Sequence, residues 1–266
     1  MIFSIQILIL LIITLVICLI GFKKYVWFIS IGYGLSISGI SIGLLCLFNT
    51  KLSILLLIYC VIMTIYGIRL GGYIAYREIK TSYNARMKGE IKDGSGMNFG
   101  VKCALWITCA LLYITMMAPL IYRCQNAAAD NLMLIIGMCI SVLGILLESI
   151  SDAQKTKSKK ANPTMFCSTG LFKIVRCPNY LGELIIWTGL FISGFGGLTG
   201  VGQWIIAIIG YLGIIYIMFS GARRLEIRQD KNYGELVEYQ EYKKKTPIMI
   251  PLIPLYSVKK HKWLVG

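Results

Sequence analysis

Seven apolar runs, each long enough to cross a lipid bilayer, dominate this sequence. They fall at about residues 2–22, 26–48, 52–75, 101–122, 131–151, 180–196 and 201–221. A helix of about 20 apolar residues spans the hydrocarbon core and satisfies its own backbone hydrogen bonds there. With 57% hydrophobic and 15% charged residues, the chain has too little polar surface for a soluble domain. The sequence predicts an all-α polytopic membrane protein with seven transmembrane helices.

Positive charge is concentrated on one side of these predicted spans. Lys23 and Lys24, the loops 77–102 and 152–178, and the tail from Arg223 hold 24 of the 27 Lys and Arg residues. Cytoplasmic loops are enriched in basic residues. We therefore expect the N-terminus outside and the C-terminus in the cytoplasm. The same rule accounts for the net charge of +15 without a nucleic-acid partner.

The predicted layout is a single integral membrane domain over residues 1–266. Residues 1–50 carry the first two transmembrane helices, and residues 223–266 form a cytoplasmic tail. The nine cysteines are scattered singly, without a Cys-x-x-Cys pair, and His261 is the one histidine. This pattern argues against a zinc site or a disulfide framework and is typical of small apolar filler residues.

Polar side chains recur along one face of the predicted third span. Tyr66, Arg69, Tyr73 and Arg77 are three and four residues apart, which places them on one side of a helix. Arg69 and Arg77 are compatible with long side chains that reach lipid phosphates. They are equally compatible with a polar stripe that faces a cavity, with Tyr66 deepest. Both interpretations stay open at this point.

Two carboxylates end the predicted fifth span, in "LLESISDAQK". Glu148 and Asp152 are four residues apart and meet both each other and the unfavourable end of the helix dipole. Lys155 or a neighbouring lysine is one candidate for neutralising them. A ligand whose hydroxyl groups donate to them, as a nucleotide ribose does, is the other.

The stretch "IVRCPNYLGELIIW", residues 174–187, leads from a basic loop into an apolar helix. Pro178 suits the first helical turn, where free N–H groups favour an anion, and Arg176 lies just upstream. Asn179 and Glu183 are one turn apart, with Tyr180 between them. A capped helix in which Glu183 pairs with an arginine would explain the acid. We favour an anionic cofactor, because each of these residue types could contact one.

These segments together resemble the steroid 5α-reductase-like membrane family, including its bacterial members known as DUF1295 proteins. The most specific match is "TGLFKIVRCPNYLGELIIWTGLF", Thr169–Phe191. Tyr66–Arg77, Leu146–Lys155 and Tyr239–Pro251 also fit, in the same order. The resemblance covers about residues 60–256, which we take as the family core.

The resemblance implies a seven-helix NADPH-dependent reductase of a carbon–carbon double bond conjugated to a ketone, in an apolar lipid or steroid-like substrate. It assigns Tyr66 to the substrate ketone, with Arg69 beside it. It places the cofactor between helices and cytoplasmic loops, with Tyr180 in the same cofactor-binding stretch. The implied cofactor contacts are Asn179 and Glu183 at the nicotinamide half, Glu148 and Asp152 at the nucleotide, Lys159, Arg176 and Arg224 at phosphates, and Tyr233 closing the pocket.

The sequence departs from the family pattern at two positions. Steroid reductases pair the ketone-binding tyrosine with a glutamate from an early span, but this chain has no Asp or Glu before Glu78. Cys177 stands where many relatives have histidine. The first departure argues against a steroid substrate and leaves the partner of Tyr66 unassigned.

Two other functions compete with the reductase. A lipid or isoprenylcysteine-type methyltransferase that uses S-adenosylmethionine shares the Arg-x-Pro-x-Tyr turn. A non-catalytic member of the family would explain the missing early glutamate. The Ile- and Lys-rich composition favours a bacterial plasma membrane over the endoplasmic reticulum.

Overall fold

The computed structural model describes residues 2–50, 52–79 and 96–265; at residues 78 and 79 it describes the backbone alone. These residues form α-helices joined by turns and loops and contain no β-strand, so the all-α prediction is confirmed. The helices are α1 (Ile5–Cys18), α2 (Ile31–Leu47), α3 (Ile54–Ile79), α4 (Phe99–Met116), α5 (Ala118–Gln125), α6 (Leu132–Ala161), α7 (Pro178–Ser193), α8 (Val201–Tyr233) and α9 (Val237–Lys245). Single 3₁₀ turns occupy Leu19–Phe22, Tyr25–Phe28 and Gly170–Lys173.

Six helical segments among the described residues are long and apolar enough to cross a bilayer. They are Ile5–Phe22, Tyr25–Leu47, Ile54–Arg77, Phe99–Met116, Leu132–Ala161 and Val201–Tyr233. The protein is therefore an integral, multi-pass membrane protein. The predicted sixth span, residues 180–196, corresponds to α7, which has 16 residues. At 1.5 Å per residue, α7 is about 24 Å long, shorter than a hydrocarbon core of about 30 Å.

Two helices continue well past the spans that hydropathy predicts for them. The predicted spans end at residues 151 and 221, whereas α6 runs to Ala161 and α8 to Tyr233. Hydropathy marks where lipid gives way to water, but a helix continues until a residue breaks it. Pro163 disfavours helical backbone at Asn162, and Gly234 ends α8, its N–H bonding to the Asp230 carbonyl at 2.9 Å. Both helices thus project beyond the apolar region and carry charged residues.

The described residues separate into two compact units. Unit 1 contains Met1–Ile135 and Leu190–Gly210, and unit 2 contains Ile136–Gly189 and Tyr211–Gly266. Most of the predicted loop 77–102, and Lys51, lie outside the described residues.

In unit 1, α2 and α3 approach until their backbones touch. A Cβ added to Gly34 would lie 2.7 Å from the Gly67 oxygen and 2.6 Å from the Gly71 nitrogen. Ser38 then donates to the carbonyl of Thr64 at 2.9 Å. Small residues permit such close packing of helices in lipid. Here they fix the register between α2 and α3.

In unit 2, α6 and α7 form a second close antiparallel pair. A Cβ on Gly144 would meet the Gly182 oxygen at 2.7 Å, and one on Gly189 would meet the Gly137 oxygen at 2.4 Å. Ser141 bonds the Ile186 carbonyl at 2.8 Å. This contact brings the charged end of α6 beside the beginning of α7.

Candidate functional site

The loop before α7 is bonded to the C-terminal tail through its backbone. The N–H groups of Arg176 and Cys177 donate to the carbonyls of Pro247 and Ile248, each at 2.9 Å. The hydroxyl of Tyr242 donates to the carbonyl of Phe172 at 2.7 Å. The tail therefore lies against the residues that lead into α7.

Asn179, in the first turn of α7, has an unsatisfied acceptor. Its side-chain oxygen is buried, and no described residue donates a hydrogen bond to it. Buried polar atoms are almost always hydrogen-bonded. Beside it, the ring of Tyr180 packs against Gly221 of α8, about 3.3 Å from where a Cβ would lie. The orphaned oxygen marks a place where a bound donor would be stabilised.

Glu183 is also buried, with 5% of its surface exposed. The indole N–H of Trp187 donates to its Oε2 at 2.9 Å. Trp187 lies one turn further along α7. This contact is a hydrogen bond from a neutral donor, since an indole N–H carries no positive charge.

Glu148 lies where α6 touches α7. A Cβ on Gly182 would fall 2.8 Å from the Glu148 Cβ, so the glycine admits the α6 backbone at this level. Glu148 is 3% exposed, whereas Asp152, one turn later, is half-buried. The structure thus brings Glu148 next to the helix turn that carries Asn179 and Glu183.

A cationic cleft opens between the end of α6, the loop before α7 and the end of α8. It has room for water-sized groups of about 70 Å³ and is partly open to solvent. Its lining includes four basic residues and no acidic one. The lining residues are Lys155, Lys159, Phe166, Cys167, Phe172, Arg176, Leu225, Arg228, Gln229, Asn232 and Tyr233. Such a lining favours an anionic group.

Lys159 and Tyr233, both predicted at the site, meet in this cleft. The Lys159 ammonium donates to the Tyr233 hydroxyl at 2.8 Å and lies 5.2 Å from the centre of its ring. It also donates to the carbonyl of Met165. These contacts hold the charge in place, so little side-chain entropy remains to be lost when an anion binds.

Arg176 is divided between a structural role and the cleft. Its Nη2 bonds Glu226 Oε1 at 3.2 Å and the carbonyl of Tyr256. Its Nε and Nη1 are buried and have no hydrogen-bond partner among the described residues. The side chain is 1% exposed. One terminal nitrogen of the guanidinium therefore anchors the tail, and the N–H groups of Nε and Nη1 remain available to a ligand.

Arg224, predicted near a phosphate, lies on the exposed side of α8 and does not line the cleft. Arg228, one turn further, lines it instead. Sequence reasoning missed Arg228 because α8 was expected to end near residue 221. Extending the helical period through "RRLEIRQD" would have placed Arg228 on the same face as Leu225.

An acid pair that sequence reasoning also missed fastens the tail. Glu226 accepts from Arg176, from Lys243 at 3.2 Å and from the backbone N–H of Val258 at 2.9 Å. Asp230 accepts from Lys243 at 2.7 Å and from Lys259 at 2.9 Å. Their four-residue spacing was a usable signal, because two acids on one helix face require nearby cations.

Aromatic rings from the tail cover one wall of the cleft. Phe166 stacks on Tyr242 with ring centres 5.2 Å apart, and Tyr239 meets the edge of Phe166 at 5.3 Å. Burial raises the pKa of both tyrosines, so they remain neutral hydrogen-bond donors near pH 7. Burial also raises the pKa of Cys177 to about 12. That thiol is protonated and a poor nucleophile at neutral pH.

Tyr66 and Arg69 belong to unit 1, and each is described there. Tyr66 is fully buried, and its hydroxyl lies 3.2 Å from that of Tyr33 on α2. Arg69, one turn further, is half-buried. The ring of Tyr33 packs 5.3 Å from that of Tyr113. A tyrosine from an early span, rather than an acid, thus lies within hydrogen-bond distance of the Tyr66 hydroxyl.

Comparison with known proteins places the chain in a family. Residues 22–246 match the family described as a protein of unknown function, DUF1295. The chain belongs to the DUF1295 family. This confirms the resemblance to the steroid 5α-reductase-like membrane proteins. No curated protein and no solved structure matches the chain.

Proposed function

We propose that this DUF1295 protein is an NAD(P)H-dependent membrane oxidoreductase that reduces the conjugated double bond of an apolar enone, either a lipid or a steroid-like molecule. The observation that carries the proposal is the buried, unsatisfied oxygen of Asn179 in the same unit as the cationic cleft. A carboxamide such as that of nicotinamide offers the N–H donors this oxygen lacks. When bound, the reduced nicotinamide supplies a hydride.

The charges of the cleft fit the phosphates of a dinucleotide. Lys159 is already oriented, and Arg176 has two buried N–H groups without described partners. Hydrogen bonds between an arginine and a phosphate are strong because both groups are charged. Glu148 and Asp152 would accept hydrogen bonds from ribose hydroxyls. Glu183, beside Asn179, would help to orient the nicotinamide half.

The methyltransferase alternative fits the cleft less well. S-adenosylmethionine carries a sulfonium cation and no phosphate. A cleft lined by four basic residues and no acidic one repels a cation and attracts an anion. NADPH is therefore the cofactor we favour over S-adenosylmethionine.

In this proposal Tyr66 acts on the substrate. Hydride addition to the β-carbon of an enone builds negative charge on the ketone oxygen. A tyrosine hydroxyl that donates to that oxygen stabilises the charge as it develops. Because Tyr66 bonds to Tyr33, a hydroxyl takes the place of a carboxylate beside the donor, and Arg69 supplies a positive charge one turn away.

The proposal includes seven spans, with the N-terminus outside and the C-terminus in the cytoplasm of a bacterial plasma membrane. The tail bonds the loop before α7, so the start of α7 and the end of α8 share one side. Since α8 is long enough to cross, its first residue lies on the opposite side. Only seven residues, 194–200, separate α7 from α8. This short connection supports a crossing within α7 despite its length.

Cofactor titration of the purified protein tests the proposal. We expect NADPH to raise the melting temperature of the wild type saturably. In Asn179→Ala, the NADPH concentration needed for the same rise should be at least about tenfold higher, which is the loss expected for one buried hydrogen bond. Thr188→Ala is the matched control and should respond like the wild type, because it removes from α7, the helix of Asn179, a hydroxyl that bonds Tyr211 of α8.

Two outcomes would reject the reductase. Stabilisation by S-adenosylmethionine alone would assign a methyltransferase. Stabilisation by neither molecule would favour a non-catalytic family member.

A further inference from the structure

The last residues of the chain form a hook, residues 258–265, that is fastened to α8. Arg223 donates to the carbonyls of Lys259 and Leu264, each at 3.2 Å. The hydroxyl of Tyr216 donates to the carbonyl of Trp263 at 3.0 Å. Leu264 is buried, so the hook is seated by packing as well as by hydrogen bonds.

The hook follows α8 towards the membrane. Tyr216 lies inside the apolar stretch 201–221, and Arg223 lies just beyond it. Seven residues of helix separate the two, about 10 Å along the axis. The N–H of Val265 donates to Tyr216 Oη at 3.1 Å. The end of the chain therefore reaches the level at which α8 enters the lipid.

The outer side of the hook combines apolar and basic side chains. Trp263 is 65% exposed and Val265 is 73% exposed. Lys260 and Lys262 are exposed beside them, and no described acid pairs with either lysine. Tryptophan is enriched at membrane–water interfaces, and basic residues next to a span are attracted to anionic headgroups.

A neighbouring turn of the tail adds a second apolar projection. Leu252 is fully exposed and has a φ of 67°, a backbone conformation that is unfavourable for leucine. Ile253 beside it is half-exposed. Exposing a large side chain on a strained turn brings no benefit in water but would bury apolar surface in a lipid headgroup region.

We propose that the hook is a docking surface for anionic phospholipid, with Lys260 and Lys262 contacting headgroup phosphates and Trp263 lying at the lipid boundary. We infer this partner because the exposed lysines are complementary to anionic headgroups and because the hook lies where α8 leaves its apolar stretch. This inference is independent of the proposed reductase activity.

Hydrogen–deuterium exchange of the full-length protein in nanodiscs tests it. The amides of residues 258–265 should exchange about 25-fold more slowly in discs that contain phosphatidylglycerol than in discs of phosphatidylcholine alone. This factor comes from two lysines that each favour an anionic surface about fivefold. The slowing should disappear in Lys260→Gln/Lys262→Gln. It should persist in Lys231→Gln/Lys244→Gln, which removes the same charge from exposed sites outside the hook.

Three results would overturn the inference. The first is equal exchange in both lipid compositions, and the second is an undiminished lipid effect in Lys260→Gln/Lys262→Gln. The third is equal slowing when inorganic phosphate is added to phosphatidylcholine discs, because that result would indicate a site for free anions. Trp263→Ala supplies a second test, because it should reduce the lipid effect without changing charge. NADPH titration of the same samples reports separately on the proposed function.

Discussion

Replacing Glu226 by glutamine is predicted to release the tail from α8. Glu226 is fully buried and accepts from Arg176, Lys243 and the N–H of Val258. Glutamine keeps the size of the side chain and one acceptor oxygen. It removes the negative charge that neutralises Arg176 and Lys243. It also places an amide N–H₂ next to groups that are themselves donors and cannot accept a hydrogen bond from it.

The expected cost follows from these contacts. A hydrogen bond to a charged group contributes about 1.5–3 kcal/mol, against about 0.5–1.5 kcal/mol for a neutral one. Removing one member of a buried ion pair costs about 3–5 kcal/mol because the partner charge stays buried. Lys243 is partly exposed, and water compensates it in part. We therefore expect tail opening to become easier by about 3 kcal/mol, roughly a hundredfold in population.

Limited trypsin digestion measures this opening at the lysines that end α9, residues 243–245. Under conditions in which opening and closing are fast, the cleavage rate follows the open population. Glu241→Gln is the matched control, because Glu241 pairs with Lys245 at 3.4 Å on the surface, where both side chains are largely exposed. Such pairs contribute little to stability. Equal cleavage rates for the two variants would refute the reasoning and assign the tail's attachment to apolar packing.

The remaining predictions concern the substrate side and the topology. Tyr66→Phe should lower NADPH oxidation with an apolar enone such as β-ionone by about 10²–10³-fold, the usual effect of removing one donor to a developing oxyanion, while NADPH affinity stays within about twofold. Tyr33→Phe should lower turnover less, because the Tyr66 hydroxyl remains; a greater loss in Tyr33→Phe would assign the substrate contact to Tyr33. A C-terminal fluorescent reporter that matures only in the cytoplasm should be active in bacterial cells, and a dark, fully expressed fusion would contradict the proposed sidedness.

Hydropathy predicted the membrane class and most helices because bilayer thickness imposes a length on every apolar span. It could not predict where α6 and α8 end. Their final turns lie in water, where hydropathy is silent and helix breakers decide. Ala161 and Tyr233 mark those ends, and the cleft is built from the turns just before them.

The hydrogen-bond partners of the site residues were harder to predict from the sequence than the site residues themselves. Glu183 was predicted as a site residue, but its bond to Trp187 was not, because an indole inside an apolar run is typical of core packing. Tyr33 was overlooked for a similar reason. Its hydroxyl matters only once the glycine contact sets the register between α2 and α3, and that register arises from tertiary packing.

The backbone pairing of residues 176–177 with 247–248 has a consequence for how the site is completed. The family match ends at residue 246, yet the carbonyls that satisfy the loop before α7 come from Pro247 and Ile248. During synthesis, the N–H groups of this loop have no partners until residues 247 and 248 have been made. The same arrangement makes the C-terminal segment a place where one DUF1295 protein could adjust its cleft while keeping every membrane helix unchanged.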